Sequence, residues 1–152
     1  MEEAIDPLRL ENQLCFPLYA CSRKIVNLYT PYFKPLGITY TQYIVFMVLW
    51  AKDGVSVREL GERLYLDSGT LTPLLKKMEA SGFVRRERSP ADERVTLVYL
   101  TEAGRALHDQ CMDIPVQLSR SVSLTPEQAK TLYDLLYQIL ESEPQCALEE
   151  EK

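Results

Sequence analysis

The sequence predicts a mainly α-helical fold that carries one small β-hairpin. Apolar residues recur at intervals of three and four along most of the chain, which is the spacing of one face of an α-helix. The period changes to two at residues 83–89 and 95–100, and the segment between these runs supplies turn residues. Two short helices before the hairpin and longer helices at both ends predict a winged helix-turn-helix core flanked by N- and C-terminal dimerisation helices.

Capping residues and glycines mark the expected helix boundaries. Asp6-Pro7 fits the start of a first helix, and Thr39 with Gln42 fits a capping box. Gly54 and Gly82 are placed to end two of the helices. The predicted helices span residues 7–30, 40–52, 57–64, 68–81, 102–120 and 126–141.

Length and composition indicate one domain with a sizeable core. The chain has 152 residues, and its longest apolar stretch, Tyr43 to Ala51, is far too short to cross a bilayer. The N-terminal Met1-Glu2-Glu3 lacks the basic and apolar regions of a signal peptide, so we expect a cytoplasmic protein with no membrane partner. Four cysteines without C-x-x-C spacing and a single histidine predict neither a metal site nor a cofactor, and we expect His108 to be a surface residue without a partner.

The two short central helices and the hairpin form a basic unit suited to DNA. The net charge of −5 argues mildly against nucleic acid, but eight of the 17 basic residues lie within 58–94 and acidic residues concentrate at the termini. The first short helix would brace the second in the major groove, while the hairpin reaches the minor groove. Small and cationic side chains on the outer face of the second helix permit close approach to bases and phosphates.

The candidate DNA-binding residues belong to this unit. Ser68 and Thr70 are the expected base readers, and Arg86 and Arg94 are expected to flank the hairpin turn. The alternative is that the charges only solvate a surface. The full set is Ser68, Gly69, Thr70, Thr72 and Lys76 on the helix, with Arg86, Asp92 and Arg94 at the hairpin.

These patterns predict a single domain over residues 1–152. Its DNA-binding lobe covers about 39–100, between dimerisation helices at about 7–30 and 102–141. The last residues, 142–152, form an acidic tail.

The first predicted helix carries a stripe with a thiol and two phenols where leucine would be expected. The stripe is Cys15, Tyr19, Ser22, Val26 and Tyr29, and beside it runs a plain apolar seam that includes Cys21. Cys15 and Tyr29 lie about 21 Å apart along one helix, so they cannot touch within it. In an antiparallel pair of these helices centred near Ser22, Cys15 of one chain lies opposite Tyr29 of the other. The spacing therefore predicts a homodimer with a thiol pocket at its interface.

The support for a thiolate at Cys15 is expected to come from that interface. A helix that starts at residue 7 places Cys15 about two turns inside it, where the macrodipole has little effect. Phenol hydroxyls from the pocket would then have to donate hydrogen bonds to the sulfur. The alternative is that Cys15 is a small buried hydrophobe.

Several motifs in the chain carry a family resemblance. They are Arg58-Glu59-Leu60, the run from Leu66 to Glu79, Gly82-Phe83-Val84-Arg85-Arg86, Asp92-Glu93-Arg94 and Leu100-Thr101-Glu102-Ala103-Gly104. On these motifs, residues 10–140 resemble the MarR family of dimeric winged-helix repressors. The N-terminal run 10–16, together with Tyr19, Tyr29 and residues 36–43, is similar to the organic-hydroperoxide-sensing (OhrR) branch of that family.

The resemblance implies roles for the unusual stripe. Cys15 would be the peroxide sensor, and Tyr29 and Tyr40 of the partner chain would hydrogen-bond it, with Tyr19 nearby. An organic hydroperoxide would oxidise the thiol to a sulfenic acid, which condenses with a low-molecular-weight thiol or a second cysteine. The oxidised homodimer would then leave a double-stranded, pseudo-palindromic DNA operator.

Two other functions stay open at this point. One is a MarR-type repressor released by a small aromatic ligand at the same interface, with Cys15 incidental. The other is a thiol peroxidase, in which the basic hairpin would have no purpose, so we expect the chain not to be an enzyme. The partner of the oxidised thiol also stays open among Cys21, Cys111 and Cys146.

Overall fold

A computed structural model describes residues 6–142, and it has the predicted mainly helical fold with a small sheet. The chain divides into two compact units at Leu118 and Ser119. None of the described helices is long and apolar enough to cross a membrane. The elements are α1 (Cys15–Phe33), α2 (Tyr40–Ala51), β1 (Val55–Ser56), α3 (Val57–Leu64), α4 (Ser68–Ala80), β2 (Val84–Arg88), β3 (Thr96–Leu100), α5 (Glu102–Cys111), α6 (Ile114–Ser119) and, in the second unit, α7 (Pro126–Glu141).

The first helix starts later and ends later than the sequence predicts. It begins at Cys15, after a single 3-10 turn at Leu10–Asn12. A helix that began at residue 7 would have Pro17 in its interior, where proline lacks the N–H donor and clashes with the preceding turn; in a first turn it is tolerated. The helix also continues through Pro31 to Phe33, whose buried ring contacts Tyr29 and Tyr43 and so stabilises this last turn.

The second helix is the centre of the core, as its apolar sequence predicts. Thr39 and Gln42 form the expected capping box, each side chain accepting a hydrogen bond from the backbone N–H of the other. Phe46 and Leu49 are fully buried. Trp50, at the end of α2, donates its indole N–H to the carbonyl oxygen of Gly104 in α5 at 3.0 Å.

The helix-turn-helix has the predicted boundaries and a tight left-handed connection. Ser56 caps α3 and Asp67 caps α4, each through a side-chain oxygen that accepts a backbone N–H. Tyr65 between the helices has a φ of 53°, and Leu66 donates its N–H to the carbonyl of Gly61. A β-carbon at Gly61 would lie 2.8 Å from the carbonyl oxygen of Leu66, so this position admits no side chain without movement.

The predicted hairpin forms, and a short third strand extends it. Strands β2 and β3 pair antiparallel from Val84 opposite Leu100 to Arg88 opposite Thr96. Strand β1 pairs with the other edge of β3, which gives the order β1-β3-β2 and leaves β2 at an edge. Periodicity does not reveal a two-residue strand, so the sequence does not predict β1.

The C-terminal region departs from the predicted continuous helix over 102–120. Helix α5 ends at Cys111 and α6 starts at Ile114. Pro115 explains the break, because its nitrogen cannot donate to the carbonyl of Cys111 and its ring would clash there. Helix α7 starts at Pro126 behind the capping box of Thr125 and Gln128, as predicted. Most of the acidic tail, and Cys146, lie outside the described residues; the prediction of a single domain stays a prediction.

Candidate DNA-binding surface and thiol site

Helix α4 has one buried face and one open face. Leu71, Leu75 and Met78 are fully buried against the core. The opposite side presents the predicted helix residues: Ser68, Gly69, Thr70 and Lys76 are exposed, and Thr72 is half-buried. The structure therefore brings these five candidates together on one accessible surface.

The N-terminus of α4 is held in a defined geometry by Asp67. Its Oδ1 accepts the N–H of Thr70 at 2.9 Å, and its Oδ2 accepts the Thr70 hydroxyl at 2.9 Å. These two hydrogen bonds lower the pKa of the Asp67 carboxyl below its usual range. The Thr70 hydroxyl is thus oriented by Asp67, with its lone pairs still able to accept.

The hairpin of β2 and β3, hereafter the wing, presents Arg94 at its tip. Its side chain is 91% exposed, yet Nε and a terminal nitrogen each donate to Asp92 at 3.1 Å. The N–H of Arg94 also donates to Asp92, and these bonds lower the pKa of the Asp92 carboxyl. Asp92 therefore orients an arginine that projects into solvent.

Arg86 does not flank the hairpin turn, as the sequence analysis expects, because it lies within β2. It is the central residue of β2, opposite Val98 on β3. Its guanidinium is half-buried and donates to Glu79, near the end of α4. The guanidinium of Arg86 is therefore paired with Glu79 inside the protein. Unlike that of Arg94, it does not project into solvent.

Cys15 is the first residue of α1 and is exposed, which corrects its expected place two turns inside a helix. Its Sγ lies 3.8 Å from Oε1 of Gln13. No side chain caps this end of the helix. The exposed Tyr19, one turn further along, accepts a hydrogen bond at 3.4 Å from Arg23, whose guanidinium also lies over its ring.

A cluster of tyrosines lies where the end of α1 meets the start of α2. The ring of Tyr29 is centred 5.0 Å from that of Tyr40 and 5.7 Å from that of Tyr43. Burial raises the pKa of all three phenols, that of Tyr43 to about 12 with a further contribution from Tyr29. The hydroxyls consequently stay protonated at neutral pH and can donate hydrogen bonds. Tyr43 is not among the candidate residues of the sequence analysis, because it belongs to a helix that is apolar nearly all round.

A groove of about 660 Å³ opens beside this tyrosine cluster. It lies between the second half of α1 and the first turns of α2. One protomer cannot bring its own Cys15 to Tyr29 along α1, because 14 residues of helix separate them by about 21 Å. The groove is lined by Ser22, Val26, Thr30, Phe33, Lys34, Ile38, Thr39, Tyr40, Thr41 and Ile44.

The remaining thiols and the histidine differ from one another in surroundings. Cys21 is exposed, whereas Cys111 is buried, and burial raises the pKa of its thiol. His108 has partners after all: Nδ1 lies 3.0 Å from Oδ1 of Asp109, and the ring meets Trp50 edge-on at 5.3 Å. Within residues 6–142, no cluster of histidine, cysteine and carboxylate side chains is arranged to hold a metal ion.

Comparison with known proteins identifies the class of this chain. The family model described as transcriptional regulator SarA/Rot matches residues 27–111. The organic hydroperoxide resistance transcriptional regulator of Bacillus subtilis (strain 168) is 46% identical over 142 residues, which cover 93% of this chain and 97% of that protein. The chain belongs to the MarR family of transcriptional regulators.

Solved structures agree with membership of the MarR family. Reduced AbfR bound to DNA has a TM-score of 0.73 and 37% identity, and the match covers 88% of this chain and 93% of that one. AbfR is a protein of Staphylococcus epidermidis. Its disulfide-formed structure has a TM-score of 0.59 at 36% identity, with 88% and 94% coverage. These findings confirm the predicted fold and the predicted class, a DNA-binding regulator of a redox-sensing MarR branch; the residue assignments stay predictions.

Proposed function

We propose that this MarR-family regulator is a homodimeric repressor that leaves its operator when Cys15 is oxidised by an organic hydroperoxide. The observation that carries the proposal is the placement of the thiol and the phenols at opposite ends of α1. Cys15 starts the helix in the open, and Tyr29 and Tyr40 cluster beside a groove near its end. An antiparallel pair of α1 helices brings the thiol of each chain to the groove of its partner. Tyr19 lies one helical turn from Cys15 on the same chain.

The exposed apolar surface of the protomer supports a homodimer. On α1 and just before it, Leu14, Phe16 and Ile25 are exposed, and Leu14 and Ile25 belong to the apolar seam that the sequence shows. On α7, none of the described side chains is buried. Its exposed large apolar residues are Leu132, Tyr133, Leu135, Tyr137, Ile139 and Leu140. A second copy of the chain is the partner that covers a self-complementary surface of this kind.

The proposed chemistry is one two-electron oxidation. The thiolate of Cys15 attacks the terminal peroxide oxygen, so that a sulfur–oxygen bond forms as the oxygen–oxygen bond breaks. The OH group stays on the sulfur as a sulfenic acid, and the rest of the hydroperoxide leaves as an alkoxide. The alkoxide takes a proton from water and becomes the alcohol. The sulfenic acid then condenses with a low-molecular-weight thiol or a second cysteine, and water is released. Protonated phenols of Tyr29 and Tyr40 stabilise the thiolate before the attack.

Release from DNA follows from a change in the spacing of the two lobes. The proposed reading surface is the open face of α4 in the major groove and Arg94 of the wing in the minor groove. Two copies read half-sites of a pseudo-palindrome about one helical turn, ~34–36 Å, apart. A larger, more polar group at Cys15 disrupts the interface beneath the lobes and changes that distance.

The test is an operator-binding assay with and without an organic hydroperoxide, followed by intact mass measurement. Cys15→Ser keeps the size and a hydrogen-bonding group, so the variant should bind DNA and should no longer be released. Cys21→Ser is the matched control, because Cys21 is also exposed on α1 and should leave the response intact. If Cys15→Ser is still released by the peroxide, Cys15 is not the sensor.

A ligand-gated repressor is the second candidate, and the groove beside Tyr40 is the observation that favours it. Release by a salicylate-like compound, together with indifference to peroxide, would identify that function. We further propose that oxidation is a single event per thiol and that the chain is not an enzyme. Sustained peroxide consumption in the presence of a thiol reductant would instead identify a peroxidase.

A further inference from the structure

The side chains of Glu79 in α4 and Arg86 in the wing form a hydrogen-bonded ion pair. A terminal nitrogen of Arg86 donates to Oε2 of Glu79 at 2.6 Å, and Nε donates to the same oxygen at 3.0 Å. The backbone N–H of Arg86 donates to Oε1 at 2.9 Å. Glu79 is the penultimate residue of α4, and Arg86 is the middle residue of β2. Three hydrogen bonds therefore connect the end of one DNA-reading element to the centre of the other.

The surroundings of this pair separate it from an ordinary surface ion pair. The Arg86 side chain is 25% exposed, and it lies opposite Val98, which is fully buried, so it is on the inner face of the sheet. Its neighbour Arg85 is exposed and its guanidinium lies over the ring of Tyr99. The hydrogen bonds of Arg86 lower the pKa of the Glu79 carboxyl, so this carboxyl stays ionised at neutral pH.

The geometry of the pair restricts rotation as well as distance. Strand β2 is an edge strand, and Glu79 occupies its free edge by accepting a backbone N–H there. A carboxylate that accepts both a strand N–H and a guanidinium fixes the strand in two directions. The hairpin beyond Arg86 extends four residues to Pro90, about 13 Å at 3.3 Å per residue. A rotation of about 10° at Arg86 would move the tip by about 2 Å, enough to break a hydrogen bond to DNA.

We propose that Glu79 and Arg86 are positioning residues for DNA recognition, which hold Arg94 of the wing at a set distance and angle from the open face of α4. This inference rests on the proposed DNA-reading surface. Neither residue is expected to touch DNA. The pair holds α4 and the wing as one rigid unit, so the major-groove contacts of α4 and the minor-groove contact of Arg94 form together.

The pair can be removed without removing the contacts that fold the lobe. The hairpin is held by its own ladder from Val84 to Leu100, and α4 is anchored by buried apolar side chains on its inner face. Glu79→Gln keeps the size and the acceptor oxygen of the side chain but removes the charge. Arg86→Lys keeps the charge but loses the two-pronged contact with the carboxylate. Either variant therefore loosens the wing and leaves the sheet in place.

The test is a double-mutant cycle on operator binding by the reduced full-length protein. In the wild type, Arg94→Ala should weaken binding by at least about 5-fold, the loss expected for a groove contact of about 1 kcal/mol. In Glu79→Gln, whose wing is already loose, adding Arg94→Ala should cost less than about 2-fold. Arg86→Lys should have the same effect on the cycle, so the test stands if one variant fails to fold. Asp134→Asn, which breaks the exposed Lys130–Asp134 pair within α7, is the matched control and should leave the Arg94→Ala loss unchanged.

A hydroxyl-radical footprint gives an independent readout. Glu79→Gln should lose the minor-groove protection under the wing and retain protection around α4. An equal loss from Arg94→Ala in both backgrounds, with an unchanged footprint, would overturn the positioning role and leave the proposed reading surface standing. If Arg94→Ala has no effect in the wild type, the proposed wing contact itself is wrong, and the positioning role falls with it.

Discussion

The chemical behaviour of single residues in this protein depends on where in the fold each side chain lies. Cys15 is exposed at the first position of α1, and Arg94 projects from the wing while its guanidinium donates to the carboxylate of Asp92. Tyr43 shows the reverse case, a phenol enclosed among other aromatic rings. Its environment disfavours the phenolate, so its ionisation is linked to folding.

Alkaline pH should therefore destabilise the fold through Tyr43. Burial raises its pKa from 10.0 to about 12, so the folded state holds the proton more tightly than the unfolded state does. The stabilising effect is complete below pH 10 and is lost as pH rises from 10 to 12; a shift of this size corresponds to about 2–3 kcal/mol. In urea titrations across this range, Tyr43→Phe should lose less stability than the wild type. Parallel losses in the two proteins would show that other groups govern the alkaline transition.

At the scale of elements, the DNA-reading unit is built from short pieces whose ends are individually capped. Asp67 caps α4, Thr101 caps α5, and Thr101 also donates its hydroxyl to the carbonyls of Gly82 and Phe83. These polar contacts fix the start of α4 and connect the start of α5 to the segment that leads into β2. Two tests address this unit, one of its DNA contacts and one of its packing.

Lys76→Ala and Arg94→Ala should each weaken operator binding by the reduced protein without unfolding it. If the lost charge lies on a phosphate, the slope of log affinity against log salt should fall by about 0.9 for each contact in each half-site. Lys130→Ala removes the same charge from α7 and serves as the control. Binding that both substitutions leave at the wild-type level would place the DNA-reading surface elsewhere on the protein.

Gly104→Ala should destabilise the protein, although alanine is the better helix former by about 1 kcal/mol. A β-carbon at Gly104 would lie 2.2 Å from the carbonyl oxygen of Phe83 and 3.1 Å from a methyl group of Leu100. The expected net loss is about 1–3 kcal/mol, as for other overpacked cores, and denaturant unfolding measures it. Ala106→Gly at an exposed position of α5 should cost about 1 kcal/mol from propensity alone. A stabilised Gly104→Ala protein would mean that α5 moves freely away from the hairpin.

Local sequence signals predict most of the helices and strands, but they do not predict contacts between residues that are distant in the sequence. The helices α2 to α4 follow from capping residues three positions apart, and the hairpin follows from a period of two on either side of turn residues. The sequence analysis places the start of α1 too early, because Asp6-Pro7 is a good local signal for a helix start. Pro17, ten residues further on, is tolerated only in a first turn, so the helix starts at Cys15. Strand β1 and the contact of Arg86 with Glu79 depend on pairing across the fold, which periodicity does not encode. Helical spacing places the α4 candidates together on one accessible surface, whereas their role in DNA binding stays a prediction.

At the scale of the whole molecule, the proposed switch belongs to the dimer and not to the protomer. One chain supplies the thiol, and its partner supplies the phenols. The exposed apolar side chains of α1 and α7 make a self-complementary dimer the expected state in solution. Light scattering at micromolar concentration should therefore give the mass of two chains, and a monomer would contradict the proposal.

A heterodimer of Cys15→Ser with Tyr29→Phe tests which chain supplies the phenol. Its one remaining Cys15 belongs to the Tyr29→Phe chain and faces the intact Tyr29 of the partner, so it should be oxidised at close to the wild-type rate. The control pairs a wild-type chain with a chain that carries both substitutions. Its Cys15 faces phenylalanine and should react as slowly as in the Tyr29→Phe homodimer. Reversed rates in the two heterodimers would show that the tyrosine acts within its own chain.

The fluorescence of Trp50 can report a conformational change in this protein without an added label. It is the single tryptophan of the chain, and it lies where α2, from the lobe that carries the DNA-reading helices, meets α5. All indole fluorescence therefore comes from this one junction. If peroxide moves the lobe and the indole N–H exchanges the Gly104 carbonyl for water, emission shifts to longer wavelength. Release could then be timed in a stopped-flow instrument without a dye on the protein or the DNA, and Cys15→Ser should give a flat trace.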